Sequence, residues 1–341
     1  MNRRPTVHDV AARAGVSIKT VSRVVNGSAS VSDPIRARVT AAVDELSYVP
    51  NSWARALKVG TGDTIGVVID TIGDPFFAAL TSAVEDRALE AGLSVVFGST
   101  GVDPVRERQQ VQRMAMQQVR GLLLAPVSGD HTYLRPYRHS FPTVLVDRTI
   151  DGLGYDTVLV DDHGATRQAV QHLLAHGHRR IGFIGEDSRF PTTTQRLVGY
   201  CEAMTAAGIE PLPEWVPAGR AEADDAEQAT RALLAGRGHD AGVTALLAAN
   251  TRAGMGVVHA LHSLDRTDVA LVSFGDFPLA RTLRPGVTVV NQDPHRIGIT
   301  ATERLLAMLE GSSTGKGAEL IVRTELIERG SGELRPVVTS R

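Results

Sequence analysis

Val16-Ser17-Ile18-Lys19-Thr20-Val21-Ser22-Arg23-Val24-Val25-Asn26-Gly27 reads as a short helix with two unlike faces. Val21, Val24 and Val25 fall on the side that can pack against a preceding helix, while Ile18, Lys19, Ser22, Arg23 and Asn26 recur at helical spacing on the other. Ser17 stands where a helix is capped and Gly27 where one ends. Upstream, Thr6-Val7-His8-Asp9 has the form of a capping box, with Asp9 in place of the usual Glu. Val7, Val10, Ala11 and Ala14 then form an apolar stripe, and Gly15 supplies a left-handed C-terminal turn. Only a few residues separate these two helices, as a helix-turn-helix requires. Ser32-Asp33-Pro34 starts a third helix with a cap and an early proline, and its Val39, Ala42, Val43 and Leu46 close a small core.

Charge follows the same division. Residues 1 to 60 hold nine Lys and Arg against four Asp and Glu, a net of +5 inside a chain whose total is −2. A basic head on an acidic body is the electrostatic footprint of nucleic-acid binding, given weight by the motif it surrounds. The length, 341 residues with 43% hydrophobic side chains, suits two or three domains. Cys201 is the single cysteine, which excludes an internal disulfide framework and suits a reducing compartment. The basic residues near Met1 are followed by no apolar signal region, and no run approaches the ~20 apolar residues of a membrane span, so a cytoplasmic location is expected.

Tyr48-Val49-Pro50 ends the third helix. Asn51 to Lys58 then spells a segment too short to hold as an isolated helix, which reads as a hinge that orders only when something packs on it. From Thr64 the texture becomes alternating strand and helix. Thr64–Ile69, Leu93–Phe97, Gly121–Leu124 and Pro142–Val146 are short, nearly all-apolar runs typical of buried parallel strands. Arg180–Ile184, Ala245–Ala248, Val269–Val272 and Val287–Val290 form a second set. Helical patterns such as Phe76–Glu90 and Pro104–Gln117 lie between them. Two doubly wound α/β lobes follow, with a ligand cleft expected at the carboxyl ends of their strands. The expected organisation is a helix-turn-helix domain over 1–49, a hinge over 50–60 and a body over 61–341. Within the body, lobe 1 takes about 61–161 and 293–321 and lobe 2 about 162–292 and 322–341, with crossings near Asp161, Gln292 and Ile321.

Thr6-Val7-x-Asp9-Val10-Ala11-x-x-Ala14-Gly15-Val16-Ser17-x-x-Thr20-Val21-Ser22-Arg23-Val24-x-Asn26, followed by Tyr48-x-Pro50-Asn51 and Ala54-Arg55-x-Leu57, resembles the head and hinge of the lactose-repressor/galactose-repressor family of bacterial transcription regulators. The resemblance continues through Pro75-Phe76-Phe77, Val146-Asp147-Arg148, Gly177-His178-Arg179-Arg180-Ile181, Arg196-Leu197-x-Gly199-Tyr200 and Val290-x-Gln292. It implies a fold of class α plus α/β: a three-helix head, a hinge helix and a periplasmic-binding-protein-like body. It also implies a homodimer on a pseudo-palindromic double-stranded operator, acting as a repressor under a small-molecule effector, with no membrane partner. Lys19 and Arg23 can donate to guanine O6 and N7, and Ile18 can touch a thymine methyl. By resemblance, Thr6, Ser17, Thr20, Ser22, Asn26 and Ser32 hold the phosphate backbone, and Asn51, Ala54 and Leu57 belong to a hinge that enters the minor groove. Leu57 is either the wedge of that hinge or an ordinary hinge-core leucine.

The resemblance places the effector near Phe76, Phe77, Asp147, Arg196, Asn250, Gly275 and Asp276. The two phenylalanines read equally as core aromatics at a helix start. Three positions depart from the family pattern: Thr251-Arg252 follows Asn250 where sugar binders carry an Asp, Gly275 replaces an Asp, and Ala221 replaces an aromatic ring. Losing two carboxylates while keeping Arg196 is expected to raise the potential around the arginine and favour an anionic or larger ligand. Substitution by Asp276, or loss of effector response, stands beside that reading. No catalytic residue, metal site or cofactor is expected: the chain has no Gly-x-Ser-x-Gly elbow, phosphate loop, His-Glu-x-x-His or cysteine pair. His176-Gly177-His178 reads as structural, at a helix end before a strand. A solute-binding protein would share the lobes but needs a signal peptide and no basic head. Gly330 to Arg341 has no apolar heptad, so no tail-mediated tetramer is expected.

Overall fold

The computed structural model describes residues 5–25, 28, 30–48, 63–127, 129–185, 189–219, 222–235 and 242–336. Asn26, Gly27, the hinge with Asn51, Ala54 and Leu57, and Ala221 lie outside them. The chain divides into two compact units, residues 1–62 and 63–341.

In the first unit, α1 spans Val7–Ala14, α2 Ile18–Val25 and α3 Asp33–Glu45. The capping box forms as the sequence suggests. The Thr6 backbone N–H donates to Asp9 Oδ2 at 2.7 Å, and the Asp9 N–H donates to Thr6 Oγ1 at 3.4 Å. Gly15 takes the left-handed conformation, φ 65° and ψ 41°, that ends α1. Arg38 of α3 donates to the carbonyls of Ala14 and Gly15, setting a cation at the negative end of α1. Val10, Val21 and Val39 are fully buried at the centre, with Ala11, Ala14 and Ala42 around them. Val25 does not join them: it is 36% exposed, because helices of 8, 8 and 13 residues enclose too small a core to cover the end of α2.

The second unit holds two sheets. β1 (Thr64–Ile69), β2 (Ser94–Ser99), β3 (Leu122–Leu124), β4 (Thr143–Val146), β5 (Asp156–Val160) and β10 (Glu319–Val322) form the first, in the order β10-β5-β4-β3-β1-β2. All of its pairings are parallel. β6 (Ile181–Ile184), β7 (Ala245–Ala248), β8 (Ala270–Phe274), β9 (Thr288–Asn291) and β11 (Glu325–Ile327) form the second, in the order β11-β9-β8-β7-β6. Only its β11 edge runs antiparallel. The helices α4 (Pro75–Glu90), α5 (Pro104–Met116), α6 (Asp162–Ala175), α7 (Pro191–Ala206), α8 (Ala223–Ala235), α9 (Thr251–Ser263) and α10 (Pro294–Leu309) cover the sheets.

Separate apolar cores fill the two lobes, one around β1, β3, β4, α4 and α10 and one around β6 to β9. The chain passes between sheets after β5, after β9 and again between β10 and β11, at 323–324. α10 lies against α4 so closely that a Cβ on Gly298 would stand 2.5 Å from the Leu80 carbonyl oxygen. In the first sheet the strand order reverses between β1 and β3, which opens a crevice at their carboxyl ends. Among the described residues, no helix is long and apolar enough to cross a membrane.

Candidate nucleic-acid interface and ligand cleft

On α2, Val21 faces the core with no exposed surface, and this fixes the rotation of the helix. Ile18, Lys19 and Arg23 are then exposed together, with Ser22 half-buried beside them. An isoleucine left 40% exposed on an eight-residue helix that also exposes two cations suits contact with a base methyl. Ser17 bonds the Thr20 hydroxyl at 2.9 Å and accepts from the Thr20 N–H at 3.1 Å, so both hydroxyls are held at the start of the helix. Thr6 is similarly fixed by its own capping box, at the N-terminus of α1. Ser32 sits exposed at the N-cap of α3 without a side-chain capping bond.

The cleft is built from strand ends and helix starts. From the first lobe come Asp70, just after β1, Asp74 at the N-cap of α4, and Asp147-Arg148 after β4. Asp147 adopts φ 69°, a left-handed turn that carries its side chain off the end of the strand. From the second come Asp162 at the start of α6, Arg196 on α7, and Asn250, Thr251 and Arg252 at the start of α9. Phe76 and Phe77 stand edge to face, ring centres 5.1 Å apart, and both contribute to the cleft wall and to the core of the first lobe.

Every arginine here already meets a carboxylate. Arg148 grips Asp70 with two bonds of 3.1 and 2.7 Å, donates to the Pro126 carbonyl, and lies 4.3 Å from the centre of the Phe190 ring on the other lobe. Arg196 donates to Asp162 at 2.7 Å and to the Ala249 carbonyl at 2.6 Å, and packs 3.9 Å over the centre of Phe274. Arg252 reaches across the cleft to Asp74, Nε to Oδ2 at 3.1 Å, and also holds Glu222 at 2.7 Å. The Asp74 contact lacks a hydrogen-bond angle, so it is a charge contact between lobes.

Burial governs the acids. It pushes Asp74 upward against the pull of Arg252, and Asp147 upward against Arg148 and Arg196. Asp162 is pushed up to about 6 by burial, with Arg196 opposing. Burial disfavours the charge of Arg148, yet Asp70 and Asp147 hold it more firmly protonated than usual.

The space left among these groups is 40 Å³, enough for ordered water and far below the ~300 Å³ of a small-molecule pocket. Phe76, Phe77, Asp147, Arg196 and Asn250 all line it. Asn250 also caps α9, its Oδ1 accepting from the Ala253 N–H at 2.8 Å.

Gly275 and Asp276 are not brought to this cavity. Asp276 turns to Arg329, with bonds of 2.8 and 2.5 Å, and those bonds hold its carboxyl below the usual range despite burial. Gly275 has φ +99°, and a Cβ there would stand 2.2 Å from Thr251 Oγ1. A side chain at 275 would therefore have to displace the Thr251 hydroxyl from the position it holds. Arg196 itself is paired, with Asp162 binding it directly.

Asp70, Asp74, Arg148, Asp162 and Arg252 were not foreseen as cleft residues. Signals were present for two: Asp74-Pro75 has the form of an N-cap followed by proline, and Arg148 closes the Val146-Asp147-Arg148 motif. The pairing of Asp70 with a residue 78 positions away leaves no local trace.

Comparison with known proteins gives two family matches: "Bacterial regulatory proteins, lacI family" over residues 6–51, and "Periplasmic binding protein-like domain" over 170–332. The transcriptional regulator GalR of Salmonella typhimurium strain SL1344 is 33% identical over 305 residues, 89% of each chain. The lac repressor dimer bound to operator and the anti-inducer ONPF superposes with a TM-score of 0.82 at 27% identity, covering 97% of this chain and 99% of that one. The complex of the transcriptional regulator CelR with cellobiose gives 0.70 at 32% identity, covering 96% and 100%.

Proposed function

Since the chain belongs to the lacI family of bacterial regulatory proteins, we propose that it is a repressor that docks α2 in the major groove of an operator and is controlled by a saccharide bound between its lobes. The observation that carries this reading is the exposed Ile18, Lys19 and Arg23 face, set by a fully buried Val21. Lys19 and Arg23 read guanines and Ile18 a thymine methyl, while Thr6, Ser17, Thr20, Ser22 and Ser32 fix register on phosphates. Asn26 and the hinge residues Asn51, Ala54 and Leu57 add backbone and minor-groove contacts. Two copies present two heads to successive major grooves, which calls for a pseudo-palindrome. The relatives' names point to saccharides as effector class, since CelR was captured with cellobiose. Arg196, Asp147 and the phenylalanine pair supply hydrogen bonds and an apolar wall for such a ligand once the lobes part.

Footprinting purified protein on the DNA upstream of its own gene, with and without candidate saccharides, tests this reading directly. A protected pseudo-palindrome that a saccharide releases or tightens is the expected result, and the absence of any protected site would refute it. Arg23→Ala should weaken operator binding by about 1–3 kcal/mol and relax preference at a single base pair in each half-site. Ser22→Ala should weaken all sequences alike. A competition assay over single-base operator variants separates the two patterns.

A further inference from the structure

The ligand cleft is crossed by one of its own side chains. Arg252, in the first turn of α9, reaches from the second lobe to Asp74, the N-cap of α4 in the first. Arg148 and Arg196 pair instead with acids of their own lobes, Asp70 and Asp162. Arg252 and Asp74 thus tie together what those pairs leave separate.

Both ends of the contact are anchored. Arg252 Nη1 donates to the two carboxylate oxygens of Glu222 at 2.7 and 2.5 Å, which holds the guanidinium from its own lobe. Asp74 Oδ1 accepts from the Phe76 N–H at 2.9 Å, and its other oxygen, Oδ2, faces Arg252. Between them the bond is incomplete: Nε stands 3.1 Å from Oδ2, yet its buried N–H makes no hydrogen bond among the described residues. A buried donor without an acceptor costs stability, so the contact is attractive by charge and poor in geometry. Such a contact closes the cleft and parts readily.

Its position also decides what can enter. Arg252 and Asp74 both line the 40 Å³ cavity with Arg196 and Asn250, and a saccharide ring needs several times that volume. The lobes must move apart to admit one. When they do, Arg252 keeps Glu222 and Asp74 keeps its cap, so the charge contact is what this pair gives up.

We propose that Arg252 is a built-in occupant of the effector site: its guanidinium holds the lobes closed through Asp74, and an effector acts by taking its place and parting them. The inference rests on reading the cleft as an effector site and assigns how that site is regulated. Closure is the resting state, set by the chain itself, and an effector shifts the population toward an open one. A ligand hydroxyl can meet both partners at once, donating to Asp74 and accepting from Arg252 Nε.

The distance between two spin labels, one on each lobe, reads closure in the full-length protein. Exposed Val105 on α5 and exposed Val198 on α7 are the labelling sites, as Val105→Cys and Val198→Cys in a Cys201→Ser background. Excess unlabelled protein leaves one labelled protomer in each dimer. Arg252→Gln and Asp74→Asn should each lengthen the distance, and the double variant should lengthen it no further than either single one. Asparagine still caps a helix, so the Asp74→Asn result reports the lost charge rather than a frayed α4. Arg252→Lys should lengthen it less than Arg252→Gln, because a lysine ammonium reaches one bond beyond the position of Nε with the same charge. An unchanged distance in both Arg252→Gln and Asp74→Asn, or a saccharide that shortens the distance in the unaltered protein, overturns the proposal. A saccharide that still alters operator occupancy then leaves the saccharide reading standing. Lengthening in both variants, with no member of a mono- and disaccharide panel altering operator occupancy, upholds the latch and overturns the saccharide reading instead.

Discussion

The Thr251 hydroxyl stands where a Cβ on Gly275 would be, so this backbone tolerates a side chain at 275 only if Thr251 moves. Gly275→Ala must place a Cβ against the Thr251 hydroxyl on a backbone at φ +99°, and should cost about 1–3 kcal/mol in denaturant unfolding. An unchanged midpoint would remove the steric account. Asp162 makes the cleft sensitive to pH. Its folded pKa of about 6 lies above the free value of 3.8, so burying its charge weakens the fold above pH 6, and protonation relieves that cost as pH falls. Protonation also removes the charge facing Arg196, and Asp147 and Asp74 are shifted in the same direction. Unfolding free energy should therefore rise as pH falls from about 6 towards 4, read by denaturant titration at constant ionic strength, and Asp162→Asn should flatten most of that rise.

Helix starts and all-apolar strands are the elements that could be read from sequence alone. The Thr6 capping box, the Gly15 stop and the runs that became β1, β3, β4 and β6 to β9 each rest on signals within a few residues. β5, β10 and β11 were not foreseen, because β5 opens on a buried Asp156 and the other two are edge strands with Glu319 and Glu325 turned outward. Asp156 accepts from the Ala318 N–H at 2.8 Å and from Arg304 at 2.6 Å, partners more than 140 positions away. The cleft was legible only where a residue stands in a local motif, as Arg196 and Asp147 do. Its ion pairs were not, since Asp70 with Arg148 and Asp74 with Arg252 exist only once the strands are side by side. The approach of α4 and α10 depends likewise on one glycine. Gly298→Ala drives a methyl toward a backbone oxygen that cannot rotate away, and should cost about 1–3 kcal/mol by overpacking, read from a chemical melt.

At the scale of the molecule, Arg252 and Asp74 hold the lobes together without any ligand, and the effector must compete with that contact or part it. Arg252→Ala should increase the radius of gyration of the ligand-free body in small-angle scattering, and unchanged scattering would show that the pair does not hold closure. The three crossings matter for how the chain is made as well as for how it moves. β10 completes the first sheet beside β5, yet the whole second sheet except β11 lies between them in the chain. On a ribosome adding ~5–20 residues per second, the edge of β5 waits on the order of ten seconds or more for its partner. During synthesis the first lobe also lacks α10, so the apolar surface that Ile297, Ala301 and Leu305 later cover stays open to solvent. The protein thus emerges with its earlier lobe unfinished until its later one is nearly complete, and a truncation between residues 160 and 319 should yield an aggregating fragment rather than a stable half-repressor.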